Sequence, residues 1–144
     1  MLDLIKRLEN ASSGSRELDA EIAAFVHGTA TKSITDVRGD EIYRGYKAPD
    51  TGHWKRCPHY TTSLDAALTL VLEGSGWDVG FIAANEAPIA HVWRDSTDAE
   101  QAVIETDVGK PLPRGGIVFR GKAATPALAL VIASLKARKA GGET

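Results

Sequence analysis

The chain has 144 residues, of which 43% are hydrophobic and 25% are charged, and its 17 basic and 19 acidic side chains give a net charge of −2. This composition predicts one globular domain over residues 1–144 and excludes a chain that is disordered as a whole. An isoelectric point of about 6.1 disfavours a simple basic protein that binds nucleic acid directly. The single cysteine, Cys57, excludes an internal disulfide framework and an all-cysteine zinc site.

The apolar patterning predicts neither a secretion signal nor a membrane span. The first ten residues mix charged side chains among their leucines, and the longest apolar run, residues 127–133, is far shorter than the roughly 20 residues that cross a bilayer. The expectation is therefore a cytoplasmic protein without a membrane partner.

Two short helices are predicted at the N-terminus, over residues 1–10 and 16–26, and residues 1–27 are expected to form a helical hairpin. Ser15 is placed to cap the second helix. Gly28 follows its last turn and can take the left-handed conformation. The segment that follows, residues 28–40, is polar and carries no strand pattern that we assign.

Two further helices are predicted later in the chain. The first covers residues 62–72, where a full apolar face follows Thr62 and Asp65, a near capping box. The second covers residues 126–140, with Thr125 as N-cap and enough apolar residues to be buried on more than one side. Residues 141–144 are expected to be a flexible tail.

Strand patterns fall mainly between the third and fourth helices. Trp77 and Trp93 lie in two of these strands and are expected in the core, since tryptophan is largely buried on average. The predicted strands are residues 41–48, 77–84, 89–94, 102–108 and 117–121. This order predicts an α+β fold with a mostly antiparallel sheet of about four to five strands packed against helices.

Two segments resemble a known family. They are residues 58–67, Pro-His-Tyr-Thr-Thr-Ser-Leu-Asp-Ala-Ala, and residues 124–130, Ala-Thr-Pro-Ala-Leu-Ala-Leu. Together with the N-terminal residues 4–9 and 15–19, they are similar to the phage α-β-α sandwich domain, found in phage and prophage proteins of unknown role. The resemblance implies a three-layer sandwich and a phage-related origin, and hence action in the cytoplasm of the host cell. It implies no reaction and no catalytic residues.

Charge is unevenly distributed along the chain. Residues 59–110 hold nine acidic and two basic residues, whereas residues 111–144 hold six basic and one acidic residue. Such separation can steer a charged partner toward one surface. The candidate acidic surface, which would face a basic partner protein, consists of Asp95, Asp98, Glu100, Glu105 and Asp107.

The densest collection of functional side chains is residues 53–60, which we predict to be a loop. Trp54, with Lys55 and Arg56 beside it, has the aromatic and basic composition of interface hot spots and is a candidate for recognition. An alternative is a metal site or a small enzyme site built from His53, Cys57 and His59, whose side chains are of ligand type. Their spacing matches no standard zinc motif.

These observations favour a non-enzymatic accessory protein that binds another macromolecule, with no cofactor. A protein partner of phage or host origin is expected, for example a host defence nuclease that the chain inhibits, and nucleic acid is disfavoured as the direct ligand. Two alternatives remain: an enzyme or metal-binding protein using residues 53–59, and a structural module that self-assembles.

Overall fold

The computed structural model describes residues 2–81, 86–95, 109–111 and 116–140. The helices are α1 (Leu2–Asn10), α2 (Arg16–His27), α3 (Leu64–Leu68) and α4 (Pro126–Ala140). The strands are β1 (Thr31–Thr35), β2 (Glu41–Lys47), β3 (Trp54–Arg56), β4 (Gly76–Gly80), β5 (Ile89–Asp95), β6 (Gly109–Pro111) and β7 (Gly116–Lys122).

The α+β class with antiparallel pairing is confirmed, but the strands divide into two sheets. The first sheet has the order β1-β2-β3, and the second has the order β4-β5-β7-β6, so the prediction of one sheet with about four to five strands agrees only roughly. The strand pairs among the described residues are all antiparallel. The first sheet uses two segments in which no strand was predicted, since β1 lies in residues 28–40 and β3 in residues 53–60.

Helix α4 is the centre of the apolar core. Residues 127–135 are all buried, so the helix is covered on every side, as its composition predicted. It packs on the second sheet and also contacts α1 and α3. Its N-terminus is as expected, because the Thr125 hydroxyl accepts a hydrogen bond from the Leu128 N–H at 3.2 Å and Pro126 occupies the first helical position.

A close approach of backbones lets α4 lie directly on the second sheet. Gly121 in β7 faces the helix, and a Cβ atom at this position would lie 2.1 Å from the Ala129 carbonyl oxygen and 2.8 Å from the Ala133 nitrogen. Neither atom belongs to a flexible side chain that could turn away. Only glycine fits here without a shift of the helix axis.

The N-terminal region has the predicted caps. The Ser15 hydroxyl accepts a hydrogen bond from the Leu18 N–H at 3.2 Å, and Gly28 has a φ of 66° and donates its N–H to the Ala24 carbonyl. The two helices have different main neighbours, since α1 packs on α4 and α2 packs on β1 and β2. They are connected by an ion pair between Arg7 and Glu21.

The third helix is shorter than predicted and is capped by a different residue. It begins after Ser63, whose hydroxyl accepts from the Ala66 N–H, so the predicted capping pair of Thr62 and Asp65 is wrong. From Thr69 onward the N–H groups bond to carbonyls three residues back, which tightens the chain into a 3₁₀-like turn and ends the α-helix at Leu68. This turn brings Leu70 into the core at 1% exposure.

Trp77 and Trp93 are not core residues, contrary to the expectation. Their side chains are 43% and 38% exposed. Trp93 lies over Gly76, its partner on β4, where a Cβ atom would come within 2.2 Å of the indole ring. The indole therefore covers a glycine in the sheet instead of packing against α4, as aromatic residues opposite glycines often do.

Several predicted features lie outside the described residues. These are the last residues of the predicted strand over residues 77–84, the strand over residues 102–108 and the tail over residues 141–144. Within the part of the chain that the structure does describe, no helix has the length and apolar composition needed to span a bilayer.

A buried carboxylate joins α2 to the segment between β3 and α3. Asp19 is fully buried, and its Oδ1 accepts hydrogen bonds from the backbone N–H (2.8 Å) and the hydroxyl (2.7 Å) of Thr61. Its Oδ2 pairs with the Arg16 guanidinium at 2.6 Å, and the same guanidinium donates to the Cys57 carbonyl at 2.7 Å. Both oxygens of this buried charge are thereby hydrogen-bonded, which a buried carboxylate requires.

We predict that Asp19→Ala lowers the free energy of unfolding by about 3 kcal/mol, because Arg16 and the Thr61 N–H lose their buried partner. The matched control is Glu9→Ala, an exposed helical carboxylate with no hydrogen bond to the described residues, and its effect is expected to stay within about 0.5 kcal/mol. Urea unfolding measures both. Equal midpoints for the two variants would contradict the role of Asp19.

A second prediction concerns the contact between α4 and the sheet. Gly121→Ala is expected to cost about 3 kcal/mol, because the added methyl group meets the backbone of the helix. Gly80→Ala, also in a strand of the second sheet, meets no atom within 4 Å and serves as the control. Thermal unfolding of the two variants should give a clearly lower midpoint for the first and an almost unchanged midpoint for the second.

Candidate macromolecule-binding face

The first sheet has two faces of different character. Residues opposite each other on antiparallel strands share a face, so the register assigns each side chain. On the inner face Tyr46 stacks against His27 of α2, with ring centroids 4.2 Å apart and an interplanar angle of 5°. We call the opposite side the outer face. Its positions are Lys32, Ile34, Tyr43, Gly45, Lys47, Trp54 and Arg56.

Each aromatic ring of the outer face is paired with a cation. The Lys32 ammonium lies 4.3 Å from the centroid of Trp54, and the Arg56 guanidinium lies 4.9 Å from the centroid of Tyr43. Both rings are partly exposed, whereas both cations are exposed. Such contacts stabilise an exposed site by roughly 0.5–1 kcal/mol each, so the cations remain easy to displace from the rings.

Gly45 at the centre of the face permits this arrangement. It pairs with Lys32 on one side and with Arg56 on the other. The Arg56 side chain reaches the Tyr43 ring two positions along β2, whereas the Lys32 side chain crosses β2 to reach the Trp54 ring on β3. A Cβ atom at Gly45 would lie 3.3 Å from the Tyr43 ring and 3.4 Å from Ile34. The absence of a side chain at Gly45 therefore leaves space above the middle strand, and the Lys32 side chain crosses over it.

The outer face carries positive charge for which the described part of the chain supplies no ion-pair partner. Lys32, Lys47 and Arg56 make no ion pair with any described residue. The nearest acidic residue of β2, Glu41, is used elsewhere, since it pairs with Arg44 at 2.7 Å. The face is thus a basic and aromatic surface on three adjacent strands.

Of the three residues predicted for recognition, the structure brings two together. Trp54 and Arg56 share the outer face, whereas Lys55 lies opposite Tyr46 and belongs to the inner face. Within residues 53–60, which were predicted to be a loop, Trp54–Arg56 form a strand because they pair with β2, whereas the other residues are not in a strand. Strand alternation separates neighbours in sequence and joins residues two apart.

The residues that β1 and β2 contribute to the outer face were not predicted from the sequence. Lys32, Tyr43, Gly45 and Lys47 come from strands that meet β3 only through the fold. A local signal existed for β1, since residues 31–35 contain three β-branched side chains and begin just after the α2 cap at Gly28. The cations opposite the rings have no local signal, because the pairing is between segments distant in sequence.

The candidate metal ligands do not come together as a metal centre. Cys57 is buried at 1% exposure, while His53 and His59 are exposed. Among residues 2–81 and the other described ranges, no group of three or more His, Cys, Asp or Glu side chains lies close enough to hold a metal ion. The structure therefore gives no support to a metal site at these three residues.

Cys57 also has the wrong electrostatics for a nucleophile. Burial raises the pKa of its thiol, and the Arg16 guanidinium offsets only part of that effect. A catalytic cysteine needs the opposite shift, because the thiolate is the reactive form. Burial likewise raises the pKa of the neighbouring Tyr60 to about 12.

The predicted acidic surface falls almost entirely outside the described residues. Asp95 is the last residue of β5, and Asp98, Glu100, Glu105 and Asp107 lie in the part of the chain that is not described. The acidic surface stays a prediction from sequence.

A second cluster of polar groups lies on the second sheet. His91 Nδ1 is 2.8 Å from the Asp78 carboxylate, and both side chains are more than one third exposed. They border a shallow pocket of about 290 Å³, whose described lining also includes Phe81 and Ile89. The described lining contains an imidazole and a carboxylate but no hydroxyl, thiol or amine that could act as a nucleophile.

Comparisons of the chain with protein-family models, with curated proteins and with solved structures find no match. The resemblance to the phage sandwich domain therefore stays a prediction that depends on the quoted segments alone.

The packing beneath the outer face predicts a pH effect on stability. Burial lowers the pKa of His27, and the positive charges of Arg138 and Lys55 lower it further. Between this lowered pKa and the ordinary value of 6.5 the unfolded chain then binds more protons than the folded chain, so the free energy of unfolding falls as the pH drops through that interval. His27→Gln should flatten that part of the curve, measured by urea unfolding at several pH values. A slope identical to that of the wild type would contradict this assignment.

Proposed function

We propose that the protein acts by binding another macromolecule without catalysing a reaction, and that the outer face of the first sheet is the binding surface. The observation that carries the proposal is the pairing of two exposed cations with two partly exposed rings on one open sheet face. Aromatic and arginine side chains are the residue types enriched at the energetic centres of interfaces.

Folding alone does not account for this surface. Three cations on adjacent strands repel one another, and no described carboxylate neutralises them. The two ring–cation contacts return only about 0.5–1 kcal/mol each. A ligand with negative charge would neutralise the cations and cover the rings, so binding explains both features together.

The absence of catalysis in this proposal is supported by the chemistry of the described residues. The buried Cys57 thiol has a raised pKa, and the pocket beside His91 and Asp78 offers no nucleophile among its described lining residues. Accordingly, the proposal needs no cofactor.

For the origin of the protein, we propose a phage or prophage accessory role in the host cytoplasm and a three-layer α-β-α arrangement. The support is the resemblance of residues 58–67 and 124–130 to the phage sandwich domain. In the fold these two segments contain the entry to α3 and the start of α4, which contact each other.

The test compares two exposed tryptophans on different sheets. Immobilised wild type, Trp54→Ala and Trp77→Ala are incubated with host-cell lysate, and bound protein and nucleic acid are identified separately. Trp54→Ala is expected to weaken capture of the specific component by about 30-fold, the effect of losing a hot-spot side chain worth about 2 kcal/mol. Trp77→Ala, 43% exposed on the second sheet, should leave capture unchanged.

Thermal unfolding must first show that both variants are folded. Equal capture by Trp54→Ala and the wild type would contradict the assignment of the surface. If the wild type captured no specific component at all, the binding function itself would be rejected.

A further inference from the structure

We propose that the ligand of the outer face is a single-stranded nucleic acid, whose bases stack on Trp54 and Tyr43 while Lys32, Lys47 and Arg56 contact its phosphates. This inference rests on the proposed binding function and names the chemical class of the partner. It departs from the expectation based on total charge, since recognition depends on how charge is distributed over the surface.

The ring–cation pairs favour nucleic acid over an acidic protein. A nucleotide carries a flat π-system and a negative charge in one unit, and the outer face presents a ring and a cation together twice. An acidic peptide would neutralise the cations but would provide no flat partner for the rings. Only a ligand that contains both a flat ring and a negative charge contacts the ring and the cation of each pair.

Magnitudes agree with an exchange of partners on binding. Each contact between a cation and a ring is worth roughly 0.5–1 kcal/mol, whereas stacking of a base on an aromatic side chain is worth roughly 1–3 kcal/mol. A base can therefore displace the ammonium of Lys32 from the Trp54 ring. The released ammonium lies beside the stacked base, where the phosphate of the same strand can receive it.

The shape of the face favours a single strand over a duplex. The rings lie on the surface of a sheet and are accessible to a base only when that base is unpaired and unstacked. Gly45 leaves space above the middle strand, so the bases can approach the sheet closely. In a duplex the bases are stacked on each other, and only the phosphates would reach the cations.

The experiment measures binding of fluorescein-labelled 20-nucleotide oligomers, dT20 and rU20, by anisotropy, with a 20-bp duplex and poly-glutamate as comparison ligands. Comparison of the two oligomers distinguishes DNA from RNA. Trp54→Ala and Tyr43→Ala are each expected to weaken binding of a single strand by about 5- to 150-fold, the range for loss of one stacked base. Trp77→Ala is the control and should bind like the wild type.

Salt dependence tests the phosphate contacts independently. Three contacts with a single strand give a slope of about −2 for the logarithm of affinity against the logarithm of salt concentration, or about a 20-fold loss between 50 and 200 mM salt. Lys47→Gln should reduce the steepness by about 0.7, whereas Lys6→Gln, an exposed lysine on α1, should leave it unchanged.

The outcomes separate this inference from the proposed function. Weaker single-strand binding in Trp54→Ala, with duplex and poly-glutamate bound less tightly than the oligomers, supports it. The inference is overturned if the duplex or poly-glutamate binds with the same affinity as the oligomers and Trp54→Ala leaves that affinity unchanged, because only charge is then recognised. Failure to bind any oligomer, with a lysate protein still captured through Trp54, overturns it and leaves the proposed function intact. Failure of both experiments rejects both.

Discussion

The buried pairing of Asp19 with Thr61 and Arg16 determines where the first sheet ends and the helical core begins. Asp19 belongs to α2, Thr61 precedes α3, and the Arg16 guanidinium reaches on to the Cys57 carbonyl immediately after β3. This ion pair thereby joins α2 to the segment of residues 57–61, which is distant in sequence. Burying an ion pair contributes little net stability, but leaving one partner alone is costly, so the pairing strongly disfavours any other docking of α2.

The candidate surface depends on this anchor through β3. The strand has three residues, too few to hold its place by its own hydrogen bonds, and it carries both Trp54 and Arg56. On one side β2 pairs with it, and at its end Cys57 donates its N–H to the Arg44 carbonyl while accepting from Arg16. The position of the Trp54 indole on the sheet thus depends on the buried Asp19 carboxylate, which holds Arg16 against the end of β3.

The two sheets differ in how many apolar side chains their faces carry. Strands β5 and β7 direct buried side chains such as Val92 and Phe119 toward α4, and burial of that helix stabilises the whole arrangement. The outer face of the first sheet has no comparable group of buried apolar side chains. Lys32 and Lys47 occupy positions where apolar residues would favour the packing of a helix. An open, charged face is therefore expected of this sheet and is available to a ligand.

Local sequence determined the features that depend on neighbours in the chain. The caps at Ser15, Gly28 and Thr125 and the burial of α4 on every side follow from side-chain chemistry within a few residues. The α+β class follows from the order of such patterns.

Tertiary structure decided everything that depends on pairing between distant segments. Strand β1 gains its conformation from β2, and α3 ends early because the 3₁₀-like turn places Leu70 in the core. Trp93 lies on the face of β5 that is turned away from α4, because alternation along the strand directs its neighbour Val92 to the helix, and its ring then covers Gly76 on β4. The candidate surface combines both contributions: Trp54 and Arg56 are recognisable in the sequence, but the cation and the ring that complete each pair come from β1 and β2, which only the sheet register brings beside them.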